Sequence, residues 1–425
     1  MSTLRPDATY DVALPMGEQF RRQIERRHRI GRIARILFLC ATVVGVLALV
    51  TLLYDIVNQS FGLVVFENEI EPSTLAIDGV ALEEQSKDEL TALLSQHVSA
   101  GVLRRLEGEK PFAERSQADV YALVIERVVR PTIVKTWTLT ESLFQQPQIA
   151  AQAAADYPQG TLTFRSWVSA DFLQKPQSSV PAQAGVRTAL LGSLYIIGIT
   201  MLVAFPMGVG AAIYLEEYAR DNWINRIIQT NISNLAGVPS IIYGMLGLAI
   251  FVRGLQPLTS GALFGVADAS TATGRTILSA ALTLVLLVLP LLIINAQEAI
   301  RAVPRSLRQG SYALGATRWQ TTWHHVLPGA LPGILTGTIL AISRAIGETA
   351  PLVVVGASTF VALDPSGPFS KFTALPLQIY QWTARPQAQF RHIAAAASVV
   401  LLVLVLALNA SAIILRNRYS RSKHS

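Results

Sequence analysis

Six apolar runs, each long enough to cross a bilayer, constrain this chain more than any other feature of its sequence. A hydrocarbon core about 30 Å thick is spanned by a helix of about 20 predominantly apolar residues. Within that layer every backbone N–H and C=O must be paired inside the segment, which leaves the helix as the natural form for such a run. The runs lie at about 36–57, 188–215, 235–252, 277–296, 334–361 and 393–415. The chain is 51% hydrophobic and only 15% charged, whereas a soluble domain carries roughly 25% charged residues. The sequence therefore predicts an all-α membrane protein with six transmembrane helices. The lone cysteine, Cys40, sits inside the first run, so neither a disulfide nor a cysteine metal site can form from it.

The first run is too long for the apolar core of a secretory signal, which spans about 7–15 residues. Tyr54, Asp55 and Asn58 follow it in place of small residues, so it reads as a retained helix. Basic residues set the orientation, because cytoplasmic loops are enriched in Lys and Arg. Arg21, Arg22, Arg26, Arg27, Arg29, Arg32 and Arg35 precede the first run, and Arg416, Arg418, Arg421 and Lys423 close the chain. Arg301, Arg305, Arg308 and Arg318 fall between the fourth and fifth runs. With an even number of spans all three clusters lie on one side, the cytoplasmic one. The net charge of +7 is thereby a topology signal, and no nucleic-acid partner is expected.

The expected organisation follows. Residues 1–35 form a basic cytoplasmic N-terminus, 36–57 the first transmembrane helix, and 58–185 an extracytoplasmic insert. Residues 186–416 carry five further helices around a cytoplasmic loop at 298–332, and 417–425 are a basic cytoplasmic tail. The insert is too long for a bare loop. Helix-like patterns at 87–106 and 118–129 predict a small, mainly helical cap, and its His97 has no neighbouring metal ligands in sequence. No paired carboxylates, nucleophile–base set or metal cluster appears anywhere. His324 and His325 are adjacent, so on a helix they diverge by about 100°, which makes a poor metal pair. No catalytic and no metal-binding residue is expected.

The loop at 298–332 has its own local logic. Pro304 suits the first turn of a helix, where its missing N–H costs nothing. Gly315 is a natural C-terminal stop, and Thr317 with Gln320 forms a capping-box pattern that begins a second short helix. Pro328 and Pro332 are expected to close that helix before the fifth span. Leu307, Tyr312, Leu314, Trp319 and Trp323 are left facing one another or a partner. Two readings fit: an interfacial helix resting on lipid headgroups, or a docking knob for a second protein.

A second polar feature lies inside the fifth run. Arg344 and Glu348 are spaced i, i+4 on one helical face. Arg344 lies roughly 15 Å from the start of the run at 1.5 Å per residue. A charge at that depth costs at least about 2.5–3.5 kcal/mol and marks a protein interior or a water-filled path. Pro351 removes the hydrogen bond to the Gly347 carbonyl, so freed backbone gathers with Glu348 and Thr349. Either the pair only neutralises itself and supports packing, or Arg344 presents charge to a passing anion. Pro206, Pro239 and Pro290 interrupt three other spans and are further candidate points of bending.

Gln309-Gly310-Ser311, three residues, Gly315, nine residues, then His325-Val326-Leu327-Pro328 resembles the Glu-Ala-Ala loop of ABC importer permeases. Gly315, Leu327 and Pro328 match that pattern; Gln309, Gly310, Ser311 and His325 depart from it. The segment Ala341-Ile342-Ser343-Arg344-Ala345-Ile346-Gly347-Glu348-Thr349-Ala350-Pro351-Leu352 closely resembles the corresponding span of PstA-type phosphate permeases. Glu216-Glu217-Tyr218, Gly237-Val238-Pro239-Ser240-Ile241-Ile242-Tyr243-Gly244 and residues 298–306 agree with the same family. The resemblance covers roughly 184–416 and leaves the insert outside it.

The resemblance implies a MetI-like permease core and a subunit of an ATP-driven inorganic phosphate importer. The implied partners are a PstC-type permease, a PstB-type ATPase dimer held by Gln309, Gly310, Ser311, Gly315, Leu327 and Pro328, and a PstS-type phosphate-binding protein, all around the lipid bilayer. It makes Arg344, Glu348 and Thr349 part of the path. The sequence has no GxxxxGK[ST] phosphate loop, so no cofactor is expected on this subunit, and ATP with its Mg belongs to the partner ATPase. A permease for sulfate, molybdate or phosphonate remains an alternative, as does a membrane sensor or scaffold.

Overall fold

The computed structural model describes residues 17–76, 80–109, 111–266, 271–356, 361 and 364–421. The expected terminal segment 1–16 and Lys423 therefore lie outside the described residues. The chain divides into two units, residues 1–55 and 56–425. The described part of the first unit is the helix α1, Glu18–Ser60, of 43 residues, about 65 Å long at 1.5 Å per residue. Its apolar stretch is exposed throughout, as expected of a helix whose solvent is lipid hydrocarbon.

In the second unit the chain passes from the end of α1 straight into β1, Phe61–Asn68. The helices α2 (Lys87–His97), α3 (Ala100–Glu109) and α4 (Gln117–Val124) follow, then β2, Pro131–Thr136. Next come α5 (Leu139–Phe144), α6 (Gln146–Asp156), β3 (Thr161–Ser166) and α7 (Ala170–Gln174). The expected helical patterns are present, ended or extended by caps: Ser86 with Glu89, Ser116 with Asp119 and Thr138 with Glu141 all form reciprocal capping boxes. The insert is mainly helical, as expected, and adds a three-stranded sheet that the helical patterns did not suggest. The sheet order is β2-β1-β3, all antiparallel.

The alternation of β1 explains why this segment is a strand. Leu63 and Val65 point to one side, where they pack with Trp137, Ile149 and Ala153. Val64 and Phe66 point to the other, where they join Ile133, Trp167, Phe172, Trp382 and Phe390. A strand buried on both faces reads as a continuous apolar run, which hides its period of two. A separate helical lobe closes over Leu90, Leu94, Val120, Val124 and Val128.

The remaining helices are α8 (Arg187–Ile213), α9 (Trp223–Ala236), α10 (Ser240–Gly247), α11 (Gln256–Thr259), α12 (Ile277–Arg301), α13 (Arg305–Ala313), α14 (Arg318–Thr321), α15 (Leu327–Gly347), α16 (Ala350–Val355), α17 (Leu375–Thr383) and α18 (Gln389–Arg421). The most enclosed is α12, apolar nearly all round as a buried helix must be. Ile277, Ala281 and Leu284 anchor one layer of core, Val288 and Leu292 a second, and Ala296 and Ile300 a third. Small residues let neighbours approach closely, as is usual between membrane helices. A Cβ at Gly244 would meet the Pro351 Cα at 2.7 Å, so only glycine lets α10 lie this close to α16.

Among the described residues five helices are long and apolar enough to cross a membrane, or six if one bent pair counts as a span, and two of the expected spans need correction. The third is not a continuous helix: α9 and residues 240–254 meet at a bend of 107°, and Pro239 sits at the break as the residue before α10. The fifth stops at Gly347 and resumes as α16, with Pro351 in its first turn. The continuation expected at 357–360 lies outside the described residues. Pro206 and Pro290, by contrast, lie inside uninterrupted helices, because neighbouring helices and local adjustment can re-satisfy a carbonyl freed within a span.

Candidate functional site: the loop at 298–332 and the break after the fifth span

The loop folds largely from its own local signals. Pro304 is the residue before α13, with an extended ψ of 135°, one position earlier than the sequence suggests. Gly315 adopts φ +81° and ends the turn, a conformation that a β-carbon disfavours. Thr317 and Gln320 cap α14 reciprocally. Pro328 and Pro332 do not close that helix, which is a correction. A π-helical turn at Thr322–Val326 carries α14 directly into α15, so residues 318–347 form one helix of 30 residues. Proline is tolerated early in α15 because the π turn already displaces the regular hydrogen-bond ladder.

This continuity has a mechanical meaning. The Trp-bearing turn of the loop is the end of the same rod that carries Arg344 roughly 25 Å further on, taking 1.5 Å per residue from Leu327. Trp319 and Trp323 stack with centroids 5.3 Å apart, and both are about half exposed. Leu314 is 91% exposed, and Leu307 and Tyr312 are also open to the surface. Of the sequence-predicted loop residues, Gln309, Gly310 and Gly315 are exposed and Leu327 and Pro328 are half-buried. Ser311 is buried and shares a 2.9 Å hydrogen bond with Thr321. That bond pins α13 to α14, so Ser311 acts inside the loop. His324 and His325 are both exposed, and the Nδ1 of His324 lies 3.0 Å from the Gln320 carbonyl. Among the described residues no cluster of metal-ligating side chains occurs.

The residues that position the loop were not singled out for this role from sequence. Arg308 donates from Nε and Nη2 to one carboxylate oxygen of Glu217, at 3.1 and 2.8 Å. It also donates to the carbonyls of Val303 and Ile300, at 2.7 and 2.9 Å. Arg301 makes a fork to both oxygens of Glu216, at 2.7 and 2.8 Å. Glu217 is almost fully buried, its side chain 7% exposed, and that of Arg308 is 16% exposed. The two carboxylates occupy a π turn, Tyr214–Tyr218, that extends α8. The signal available in sequence was an acidic pair ending one span and arginines opening a loop on the same side.

At the other end of the rod, Arg344 Nε and Glu348 Oε1 are 3.3 Å apart, as the i, i+4 spacing predicts. Glu348 has already left the helix, with ψ at 117°. Helical geometry is interrupted at 348–349 and begins again at Ala350. The Arg344 side chain is 42% exposed and that of Glu348 18%. A β-carbon at Gly347 would meet nothing within 4 Å, so the face carrying this pair is open in the isolated chain. Thr349 is half-buried at the break. The structure thus brings Arg344, Glu348 and Thr349 together. A further polar tie, Gln229 with Gln297, joins α9 to α12 by two amide hydrogen bonds at 3.1 and 2.9 Å.

A polytopic helical membrane subunit, with a surface loop rigidly joined to a broken span, is the class these features define. Residues 204–423 match the model of the binding-protein-dependent transport system inner membrane component family, and the chain belongs to that family. It is 35% identical over 259 residues to a probable ABC transporter permease protein, YqgI, of Bacillus subtilis, covering 58% of this chain and 83% of that one. It is 37% identical over 234 residues to the phosphate transport system permease protein PstA 1 of Mycobacterium tuberculosis, covering 55% and 70%. It is 32% identical over 214 residues to the phosphate transport system permease protein PstC of Haemophilus influenzae, covering 46% and 64%. The chain is an ABC importer permease subunit and not an enzyme.

An exposed apolar loop surface makes a direct expectation. Leu314→Asp, at a side chain that supports nothing within this chain, should leave the fold intact. On the docking reading of the loop, loss of a central interface anchor would cost about 2 kcal/mol or more, roughly thirtyfold in affinity. Co-purification of the ATPase with the membrane subunits measures it. Retention of the ATPase at wild-type level would return the loop to the lipid surface.

Proposed function

We propose that this chain is one of two permease subunits of an ATP-driven inorganic phosphate importer, with both termini and the loop at 298–332 in the cytoplasm. The observation that carries the reading is an open cationic group, Arg344, at a break in a membrane helix. Broken helices are where transporters gather substrate and ion contacts. Similarity to phosphate permeases of both subunit types favours phosphate over another oxyanion. Within this reading the half-open face of Arg344 lines a path shared with a PstC-type permease, and a PstS-type binding protein delivers the anion. Trp319, Trp323, Leu314, Gln309 and Gly310 meet a PstB-type ATPase, which holds the ATP and Mg. Closure of the ATPases displaces the loop. The rod 318–347 and the Glu217–Arg308 tie then carry that displacement into α15 and α8.

Contacts along such a path are weak by design, since a ligand handed over by a binding protein must leave again. The test is ATP-dependent uptake of labelled phosphate by vesicles holding this chain, its partner permease, ATPase and binding protein. Unlabelled phosphate should abolish the signal, while excess sulfate or molybdate should not. Competition by another oxyanion would reassign the substrate. A fully assembled complex with no ATP-driven uptake of any anion would favour the sensor or scaffold.

A further inference from the structure

The third span breaks where its backbone loses a donor. In a continuous helix the Leu235 carbonyl would accept from the N–H four residues on, but that residue is Pro239, which has none. The Leu235 carbonyl instead accepts from the Val238 N–H at 3.0 Å and from the Tyr243 hydroxyl at 2.6 Å. Tyr243 belongs to α10, on the far side of the 107° bend. It is buried, so its hydroxyl reaches back across the bend from inside the core.

The same residue stands beside the break in the fifth span. Tyr243 shares a core layer with Val288 and Leu292 of α12 and with Ala341 and Ala345 of α15. Ala345 follows Arg344 in sequence, and the Arg344 charge reaches the Tyr243 phenol. The next residue, Gly244, lies against Pro351 of α16, and a β-carbon there would also meet the Val354 Cβ at 3.0 Å. A β-carbon at Gly247 would strike the Thr283 side chain of α12. Through these two glycines α10 is seated on α12 and α16, and the Tyr243 hydroxyl ties it to α9.

We infer that Tyr243 is a positioning residue that couples the two broken spans, its hydroxyl latching the bend at Pro239 to the break beside Arg344. The helix α9 begins at Trp223, shortly after the π turn whose Glu217 is tied to Arg308 of the loop. A displacement of the loop therefore has a second route, through α9 and the latch into α10 and the start of α16, beside the route along 318–347. With the latch closed, α9 and α10 move as one bent piece, and residues 348–349 keep their place relative to Arg344. Without it the bend loses its side-chain tie at a proline, where a helix already flexes. The step from latch to transport rests on the reading of Arg344 as part of the path; the latch itself does not.

Tyr243→Phe removes the hydroxyl and keeps the ring. The chain's single cysteine makes the test simple, because a C40S background accepts nitroxide pairs at the exposed positions Asn231, Val353 and Leu402. Pulsed electron–electron resonance on the assembled transporter reads N231C with V353C, from α9 to α16, and V353C with L402C, from α16 to α18. Y243F should broaden the first distance distribution and leave the second unchanged. In the unlabelled complex, phosphate uptake per ATP hydrolysed should fall about fivefold, the weight of one hydrogen bond. Unchanged distances from α9 to α16 would overturn the latch. A Y243F complex that fails to assemble would make Tyr243 a core residue and overturn the positioning role, as would broadened distances with wild-type uptake. A wild-type complex that moves no phosphate would fail the reading of the path and not the latch, which the distances decide.

Discussion

Replacing Glu217 with alanine should disable the transporter more severely than any other single change at the loop. Glu217 is buried against Arg308, whose guanidinium also holds the carbonyls of Ile300 and Val303. Removing one partner of a buried pair strands the other charge and costs about 3–5 kcal/mol. That is a large part of the stability of an ordinary domain. The neighbouring pair is the internal control. Arg301 is 60% exposed although Glu216 is only 13% exposed, so solvent reaches the guanidinium and Glu216→Ala should cost less than Glu217→Ala, because the arginine it leaves behind stays hydrated.

The double variant decides between a structural tie and a specific coupling element. E217A with R308A removes both charges, so it should recover part of the lost stability, though not the two carbonyl bonds of Arg308. A double-mutant cycle on the thermal stability of the purified complex measures the pair term. Phosphate uptake per ATP hydrolysed measures the transmission. The expected E217A complex, where it assembles, hydrolyses ATP but moves little phosphate. Unchanged melting and uptake in E217A would show that the loop is held by α15 alone.

Much of this architecture was legible because membrane spans and caps are local signals. The runs at 188–215, 277–296 and 393–415 became α8, α12 and α18 within a few residues, extended by polar turns that hydropathy does not count. Thr317 with Gln320 and Gly315 acted as their chemistry requires. What failed was the inference from proline alone. Pro328 and Pro332 suggest helix ends, yet they lie within the rod 318–347, in the first two turns of α15 and just after a π turn, a feature with no pattern of its own. Pro239 and Pro351 do mark breaks, whereas Pro206 and Pro290 do not, and only the packing of neighbouring helices separates the two cases. The sheet in the insert was missed for a related reason: β1 is buried on both faces, so its alternation vanished from the sequence. The Glu217–Arg308 tie joins residues 91 apart, and no periodicity connects them.

Arg344→Gln should leave the complex assembled and cut phosphate uptake by about a hundredfold. Arg344 is not held in a core: it is 42% exposed and touches Glu348 by one 3.3 Å contact. Its loss should therefore cost little stability, since an exposed i, i+4 pair contributes a few tenths of a kcal/mol. The effect on an anion is larger. At about 6 Å and an effective dielectric of about 20, a unit charge contributes roughly 3 kcal/mol, and each 1.36 kcal/mol of barrier is tenfold in rate. Arg344→Lys keeps the charge without the planar fork, so it should recover a substantial part of the rate. Glu348→Gln should act in the opposite direction on binding, freeing the guanidinium and slowing release of the anion. Size-exclusion profiles of the solubilised complex, taken with initial uptake rates, separate the two roles. A variant R344Q that falls apart on purification would make Arg344–Glu348 a packing pair. An intact R344Q complex with wild-type uptake would place the anion's path elsewhere.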